Sequence, residues 1–218
     1  MRSVILRRCR LSVVLMGDCM KRIRFGLDMD GVIYDWHSAA RFLWNSHFDL
    51  NLPPVKDIWT KWDGHLNYVT KEQDAWLWKE GIEKGLFRHG HIRKGAIEFC
   101  QELDKIADIV LITHRPHNAR QDTLDWIAYN KIPTSEIHML HKGESKANIP
   151  VHMALDDKPE TIEAFWSKSI LAILWDRPWN QYWPVFVYRC HKWEDVLSWA
   201  IARDKAVYDE KIAGVLSV

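Results

Sequence analysis

The sequence predicts an α/β fold: a Rossmann-like parallel sheet with helices on both faces and a small helical cap inserted after the first strand. Three observations carry this expectation. Short, continuously apolar runs such as DIVLIT (108–113) alternate with helix-period segments, and strands apolar throughout are those covered on both faces. Polar residues close three of these runs at the same relative point: Asp28 and Asp30, then Thr113, then Asp156 and Asp157. Between the first and second runs lies a helix-patterned stretch holding six of the thirteen tryptophans (Trp36, Trp44, Trp59, Trp62, Trp76 and Trp78).

The elements follow in order. Phe25 and Leu27 lead a short strand into the acidic pair. DWHSAARFLWNSHF (35–48) carries Trp36, Ala39, Ala40, Leu43 and Trp44 at helical spacing, and Pro53 and Pro54 break the pattern. Thr70 and Gln73 make a capping box, so a helix starts near Lys71, and Gly81 and Gly85 place its end soon after them. KGAIEFCQELDKIA predicts a helix with Ile97, Cys100, Leu103 and Ile106 on its apolar face, feeding the strand that Thr113 and Pro116 close. A helix from about Asn118 to Tyr129, an apolar Ile137–Leu140, a strand at VHMALDD, a helix from Pro159, strands at SILAILWD and VFVYR, and a helix from Trp193 complete the alternation. The expected division is an N-terminal extension over 1–22, a core over 23–35 and 91–204, a cap over 36–90 and a tail over 205–218.

At 218 residues, with 47% hydrophobic and 27% charged residues, the chain is long enough for a sizeable core and too apolar to be mainly disordered. Its net charge of +1 is uneven. Residues 1–24 carry seven Lys/Arg against Asp18, a balance of +6, which leaves −5 on the remainder. An acidic body argues against binding duplex nucleic acid, whose phosphates call for a basic face. No apolar run reaches the length of a membrane-spanning helix. The four cysteines show neither zinc-ligand nor disulfide-framework spacing, so the expected location is the reducing cytoplasm. The basic start is followed by an apolar run, Leu11 to Met16, too short for a signal peptide and lacking a small-residue cleavage site. It reads as a flexible extension, with Met16 or Met20 as the working start; self-association into a homodimer stays open.

Ligands of an open α/β sheet bind outside the carboxyl ends of its strands, so these polar residues can meet although up to 129 positions separate them. Converging carboxylates repel one another, and a bound cation relieves the repulsion. An oxygen-only set suits magnesium, which leaves positions for water and a substrate phosphate. Lys146, ten residues before Asp156, can reach the same phosphate, and Thr113 adds a hydroxyl with further backbone donors behind it. Lys142 nearby is the competing candidate. Such a site is suited to phosphoryl transfer, with one aspartate attacking phosphorus and the second, two residues on, moving protons.

DMDGV, VLITHRP, Lys146 and ALDDKPE, in that order, resemble the four motifs of the haloacid dehalogenase-like phosphohydrolases. The longer string DMDGVIYDW, the helical insertion after it and GLFRHGHIRKGAIEF most resemble the 5'(3')-deoxyribonucleotidase-like group. The resemblance implies Asp28 as nucleophile and Asp30 as general acid/base. It implies a magnesium ion held by Asp28, the backbone carbonyl of Asp30 and an aspartate of the fourth motif, with Asp157 as direct ligand and Asp156 in support. Thr113, the His114 backbone and Lys146 would hold phosphate. That group tends to carry a small hydroxyl residue where this chain has His114. The expected activity is magnesium-dependent hydrolysis of small phosphate monoesters, nucleoside or deoxynucleoside monophosphates first among them.

Bases stack on aromatic faces, and Trp36, beside the catalytic loop, is the cap residue expected to touch substrate; core packing is the ordinary role for most of the other tryptophans. WDRPWNQYWP (175–184) offers Arg177 toward a substrate anion, beside the plainer reading of a proline-stiffened connection. Two other functions compete with nucleotide hydrolysis: a phosphatase for another small metabolite, such as a sugar phosphate, and a noncatalytic interaction module on the same fold. A substrate panel separates the first, and magnesium-dependent phosphate release from an aryl phosphate separates the second.

Overall fold

The computed structural model describes residues 22–183 and 188–216, the last ten of these as backbone alone. Residues 1–21 lie outside the described residues, and with them the expected extension, its alternative starts and Cys9 and Cys19. Most of the strand expected at VFVYR falls on 184–187, also outside. Arg22, assigned above to the extension, is tied to the body instead: its guanidinium donates to the Asp104 and Ala107 carbonyls and lies 3.5 Å from Asp108.

Six strands, β1 (Ile23–Leu27), β2 (Ala107–Thr113), β3 (Glu136–Met139), β4 (Met153–Asp156), β5 (Leu171–Trp175) and β6 (Arg189–Cys190), form one parallel sheet in the order β3-β2-β1-β4-β5-β6. The chain winds outward from β1 to β3, then returns to β4 on the other side of β1. This reversal opens a crevice outside the carboxyl ends of β1 and β4. Leu27 is in register with Leu111 on one side and Leu155 on the other, so Asp28, Thr113 and Asp156 emerge at one edge.

The strands are apolar because both faces are covered. Ile109 and Leu111 join Phe25, Leu27, Met153 and Ile173 in one cluster with Phe99, Trp126 and Val196, whereas Val110 and Ile112 join Ala154, Ala172 and Leu174 in another with Ile162 and Phe165. Helices α4 (Ala96–Leu103), α5 (Arg120–Tyr129) and α7 (Trp193–Leu216) supply the first cover, and α6 (Pro159–Trp166) the second. Within α4 the buried face is Ala96, Phe99, Cys100 and Leu103; Ile97 and Ile106, expected on it, are only half-buried. The bulky Phe99, which packs on Phe25 and Trp193, takes the buried place expected for Ile97, while Cys100 and Leu103 stay on the face. Helix α7 runs without a break to Leu216, so residues 205–216 extend it rather than form a separate tail.

Between β1 and α4 stand α1 (Trp36–Phe48), α2 (Val55–Ile58), a 3-10 turn (Gly64–Asn67) and α3 (Lys71–Trp76), which continues as a π-helical turn (Leu77–Gly81). Asp35 caps α1 by accepting from the Ser38 N–H and hydroxyl, and Thr70 and Gln73 form the expected capping box on α3. The short α2 and the 3-10 turn have no periodicity to betray them in sequence. The linkers into and out of this helical segment pair with each other: Asp35 N–H donates to the His91 carbonyl and Arg93 N–H to that of Ile33, while the Arg93 guanidinium holds the Asp35 carboxylate at 3.1 Å. Among the described residues no helix is long and apolar enough to cross a membrane.

Candidate active site

Asp28 leaves β1 with its N–H on the Leu155 carbonyl, and the loop after it folds back at once. The Met29 carbonyl accepts from the N–H groups of Val32, Ile33 and Tyr34. Gly31 makes the turn possible at φ +87°, where a Cβ would also lie 1.9 Å from Asp157 Oδ2. The glycine therefore lets a carboxylate from β4 press directly against the loop from β1.

Asp28, Asp156 and Asp157 are buried, and one oxygen from each lies within 4.8 Å of the others. Lys146, 7% exposed, places its Nζ 2.5 Å from Asp28 Oδ1 and 2.7 Å from Asp156 Oδ2. Lys142 is exposed, so burial separates the two lysines that sequence left in competition. Asp156 spends its other oxygen on the Lys158 N–H at 2.8 Å. Asp157 accepts from Trp179 Nε1 through Oδ2 at 3.0 Å. Thr113 is buried and its Oγ1 accepts from the Arg115 N–H, while the His114 ring is exposed and meets the Glu144 carbonyl at 2.8 Å.

Three buried carboxylates share one ammonium, and the imbalance shows in their acidities. Burial, then the neighbouring carboxylates, push Asp28 well above the usual carboxylate range against the pull of Lys146. Burial and Asp156 push Asp157 up to about 7. Burial works against the charged form of Lys146, but Asp156 and Asp28 outweigh it and hold the ammonium above its ordinary value. Three carboxylates against one ammonium leave this oxygen-lined site two positive charges short, and its donor set fits a hard divalent cation. Asp30 is not one of these three: its carboxylate is held by Arg115, although its charge is still felt by Asp28.

Several partners were not read from the sequence. Arg115 lay within the quoted VLITHRP, but nothing local marks it as the residue that salt-bridges Asp30, 85 positions away. Arg177, considered above for a substrate anion, is engaged by the loop: its Nε donates to the Gly31 carbonyl at 2.6 Å. Asn180 donates to the Asp157 and Trp175 carbonyls, which fixes the strand end. Trp36 is 9% exposed, packed parallel to Trp78 at 5.5 Å and edge-on to Trp59 and His37, so nearly all of its surface is taken by protein. His37 in turn stacks at 3.8 Å on Trp179, the donor to Asp157, and burial together with Arg93 and Arg177 keeps its imidazole well below the ordinary value and neutral. Among the cap aromatics left exposed are Phe42, Tyr68, Trp78 and Trp62, whose ring lies 5.2 Å from Lys158 Nζ.

A doubly wound parallel sheet with an acidic cluster and a buried lysine at its switch point, and a helical insertion after the first strand, defines a hydrolase of the haloacid dehalogenase-like class. Solved structures agree on the fold. The haloacid dehalogenase-like family protein SP0104 of Streptococcus pneumoniae superposes with a TM-score of 0.59 at 12% identity over 82% of this chain and 98% of its own. The HAD-hydrolase YfnB of Bacillus subtilis, a structure bound to magnesium, gives 0.56 at 16% over 83% and 99%. Residues 21–206 match the model of the 5' nucleotidase, deoxy (pyrimidine), cytosolic type C protein family, and the chain belongs to that family. It is 26% identical over 184 residues to a provisionally named nucleotidase, BH1399, of Halalkalibacterium halodurans, covering 82% of this chain and 93% of that protein. A second such nucleotidase, OB0422 of Oceanobacillus iheyensis, is 23% identical over 184 residues, 80% and 97% of the two chains. The protein is thus a 5'-nucleotidase-like hydrolase of the haloacid dehalogenase type.

Proposed function

We propose that this protein is a magnesium-dependent phosphomonoesterase acting on nucleoside or deoxynucleoside monophosphates through an aspartyl-phosphate on Asp28. The observation that carries the reading is the buried triad of Asp28, Asp156 and Asp157 around Lys146 at the sheet's switch point. Asp28, Asp157 and the Asp30 carbonyl would hold the ion; both Asp156 oxygens are already spent on Lys146 and the Lys158 N–H, which supports Asp157 as the direct ligand. A magnesium ion bound there neutralises the crowded carboxylates and the approaching phosphate.

The protein's own groups account for the rest. The Asp28 carboxylate attacks phosphorus and the bond to the leaving oxygen breaks as that oxygen takes the Asp30 proton; Asp30 then takes a proton from water, which attacks phosphorus and frees Asp28. Lys146, whose ammonium its neighbours keep charged, balances the phosphoryl oxygens, and Thr113 with the His114 N–H completes their cradle. The family model and both provisionally named nucleotidases support a nucleotide as substrate. The exposed Trp62 beside Lys158 supports base stacking from the cap, with Trp36 behind it as a packed support. The family's cytosolic description and the absence of disulfide-like cysteine spacing support a cytoplasmic location.

A panel of purine and pyrimidine 5'- and 3'-monophosphates, with sugar phosphates as controls, tests the reading in magnesium and in chelator. Nucleotides are expected to lead, and Asp28→Asn to lose turnover while keeping its fold. Retention of a tenth of wild-type activity by that variant rejects the covalent route, and preference for sugar phosphates rejects the substrate class.

A further inference from the structure

Arg115 is wholly buried yet points at the one catalytic aspartate outside the acidic cluster. Its Nε lies 3.1 and 3.0 Å from Asp30 Oδ1 and Oδ2, and its Nη2 lies 2.6 Å from Oδ1. On the far side Nη1 donates to Thr123 Oγ1 at 3.2 Å, and that hydroxyl is anchored on the Ala119 carbonyl. The guanidinium carbon also lies 4.3 Å from the Tyr34 ring centroid and 4.7 Å from that of Phe87.

These two rings are the telling part. Tyr34 belongs to the linker entering the helical insertion and Phe87 to the linker leaving it, and the Tyr34 hydroxyl ties the linkers together by donating to the Leu86 carbonyl and accepting from the Gly90 N–H. Trp126 packs its edge on Tyr34 and donates to the Gly90 carbonyl. We propose that Arg115 is a positioning residue, which sets the direction of the Asp30 carboxylate and makes that direction depend on the neck of the cap. A planar fork with two rings against it and hydrogen bonds at both ends cannot swivel to follow a displaced carboxylate without giving up a ring contact or a hydrogen bond. A shift of either linker therefore moves the guanidinium, and Asp30 with it. Asp30 itself keeps 27% of its side chain exposed, so a face stays open to the reacting proton.

The inference rests on Asp30 being the proton-moving group of the proposed reaction, and a double-mutant cycle tests it. Arg115→Lys keeps the charge but loses the fork and its ring contacts; it should lower kcat on a nucleoside monophosphate about tenfold or more while moving KM less than about threefold, since general acid–base catalysis contributes about 10²–10⁴. With an aryl phosphate, on which both backgrounds can be measured, Arg115→Lys should still slow the otherwise wild-type enzyme through the water-activating role of Asp30, whereas the same substitution made in Asp30→Asn should cost less than about twofold further, because a residue that acts only through Asp30 has nothing left to position. An equal loss in both backgrounds, or an unchanged kcat in the single variant, overturns the proposal. Should Arg115→Lys fail to fold, Thr123→Val removes only the hydroxyl behind the guanidinium; a fall in kcat confined to the Asp30 background supports the proposal and an unchanged kcat refutes it. If wild-type protein hydrolyses no phosphate monoester, the function itself is wrong and this inference falls with it. If wild type is active but the cycle is additive, the inference alone falls.

Discussion

Replacing Asp157 by asparagine should make the metal-free protein more stable at pH 8, although it removes a proposed metal ligand. Burial, then the proximity of Asp156, raise the Asp157 carboxyl from its ordinary 3.8 to about 7. The folded state therefore holds a proton that the unfolded chain has lost between those two values. Stability from this group is present at the acid end and drains away as the pH climbs through the window. At about 1.4 kcal/mol per pH unit, the full loss by pH 8 is on the order of 4 kcal/mol, an upper bound because Asp28 titrates in the same cluster. Asparagine carries no charge to bury and still offers Trp179 Nε1 an acceptor. Urea unfolding in chelator should thus find wild type and Asp157→Asn similar near pH 4.5 and the variant ahead by up to about 4 kcal/mol at pH 8. Magnesium at about a hundred times its dissociation constant should then lift wild type by roughly 2.7 kcal/mol and the variant by less, closing the gap. A difference that is the same at both pH values, or a variant less stable than wild type at pH 8 without metal, refutes the electrostatic account.

Three further outcomes follow from the same geometry. Gly31→Ala should cost at least about 1–2 kcal/mol for the left-handed backbone alone, and turnover should fall more than stability does because the new Cβ displaces the Asp157 carboxylate; thermal melts and initial rates read the two separately. Lys146→Met leaves Asp28 and Asp156 buried without their shared cation, and urea unfolding in chelator at pH 8 should show a loss of about 3–5 kcal/mol. Thr70→Ala breaks the capping box on α3 and should cost about 1 kcal/mol by thermal melting while leaving turnover within about twofold.

How far the sequence reached can be read from where each residue's partner lies. Asp28, Thr113 and Asp156 declared themselves because each interrupts an apolar run at its end, and a parallel sheet brings such ends together whatever the loops do. The capping box over Thr70 and Gln73 was equally legible, being a contact three residues long. Arg115 was not: its role is written by residues 30, 34, 87 and 123, no two of which share a local pattern with it. The α4 face slipped for a related reason, since Phe99 and Ile97 are both apolar and only the facing Phe25 and Trp193 decide between them. Trp36 shows the limit of composition, because a tryptophan near a catalytic loop serves packing or ligand equally well until its neighbours are known.

The paired linkers around Tyr34, Asp35, His91 and Arg93 give the protein a single doorway. Whatever stands between them leaves and rejoins the sheet at one point, so its length and content are free of the register that builds the catalytic crevice. A change inside the insertion that leaves these linker contacts in place should therefore leave the pairing of the strands beneath it unaltered.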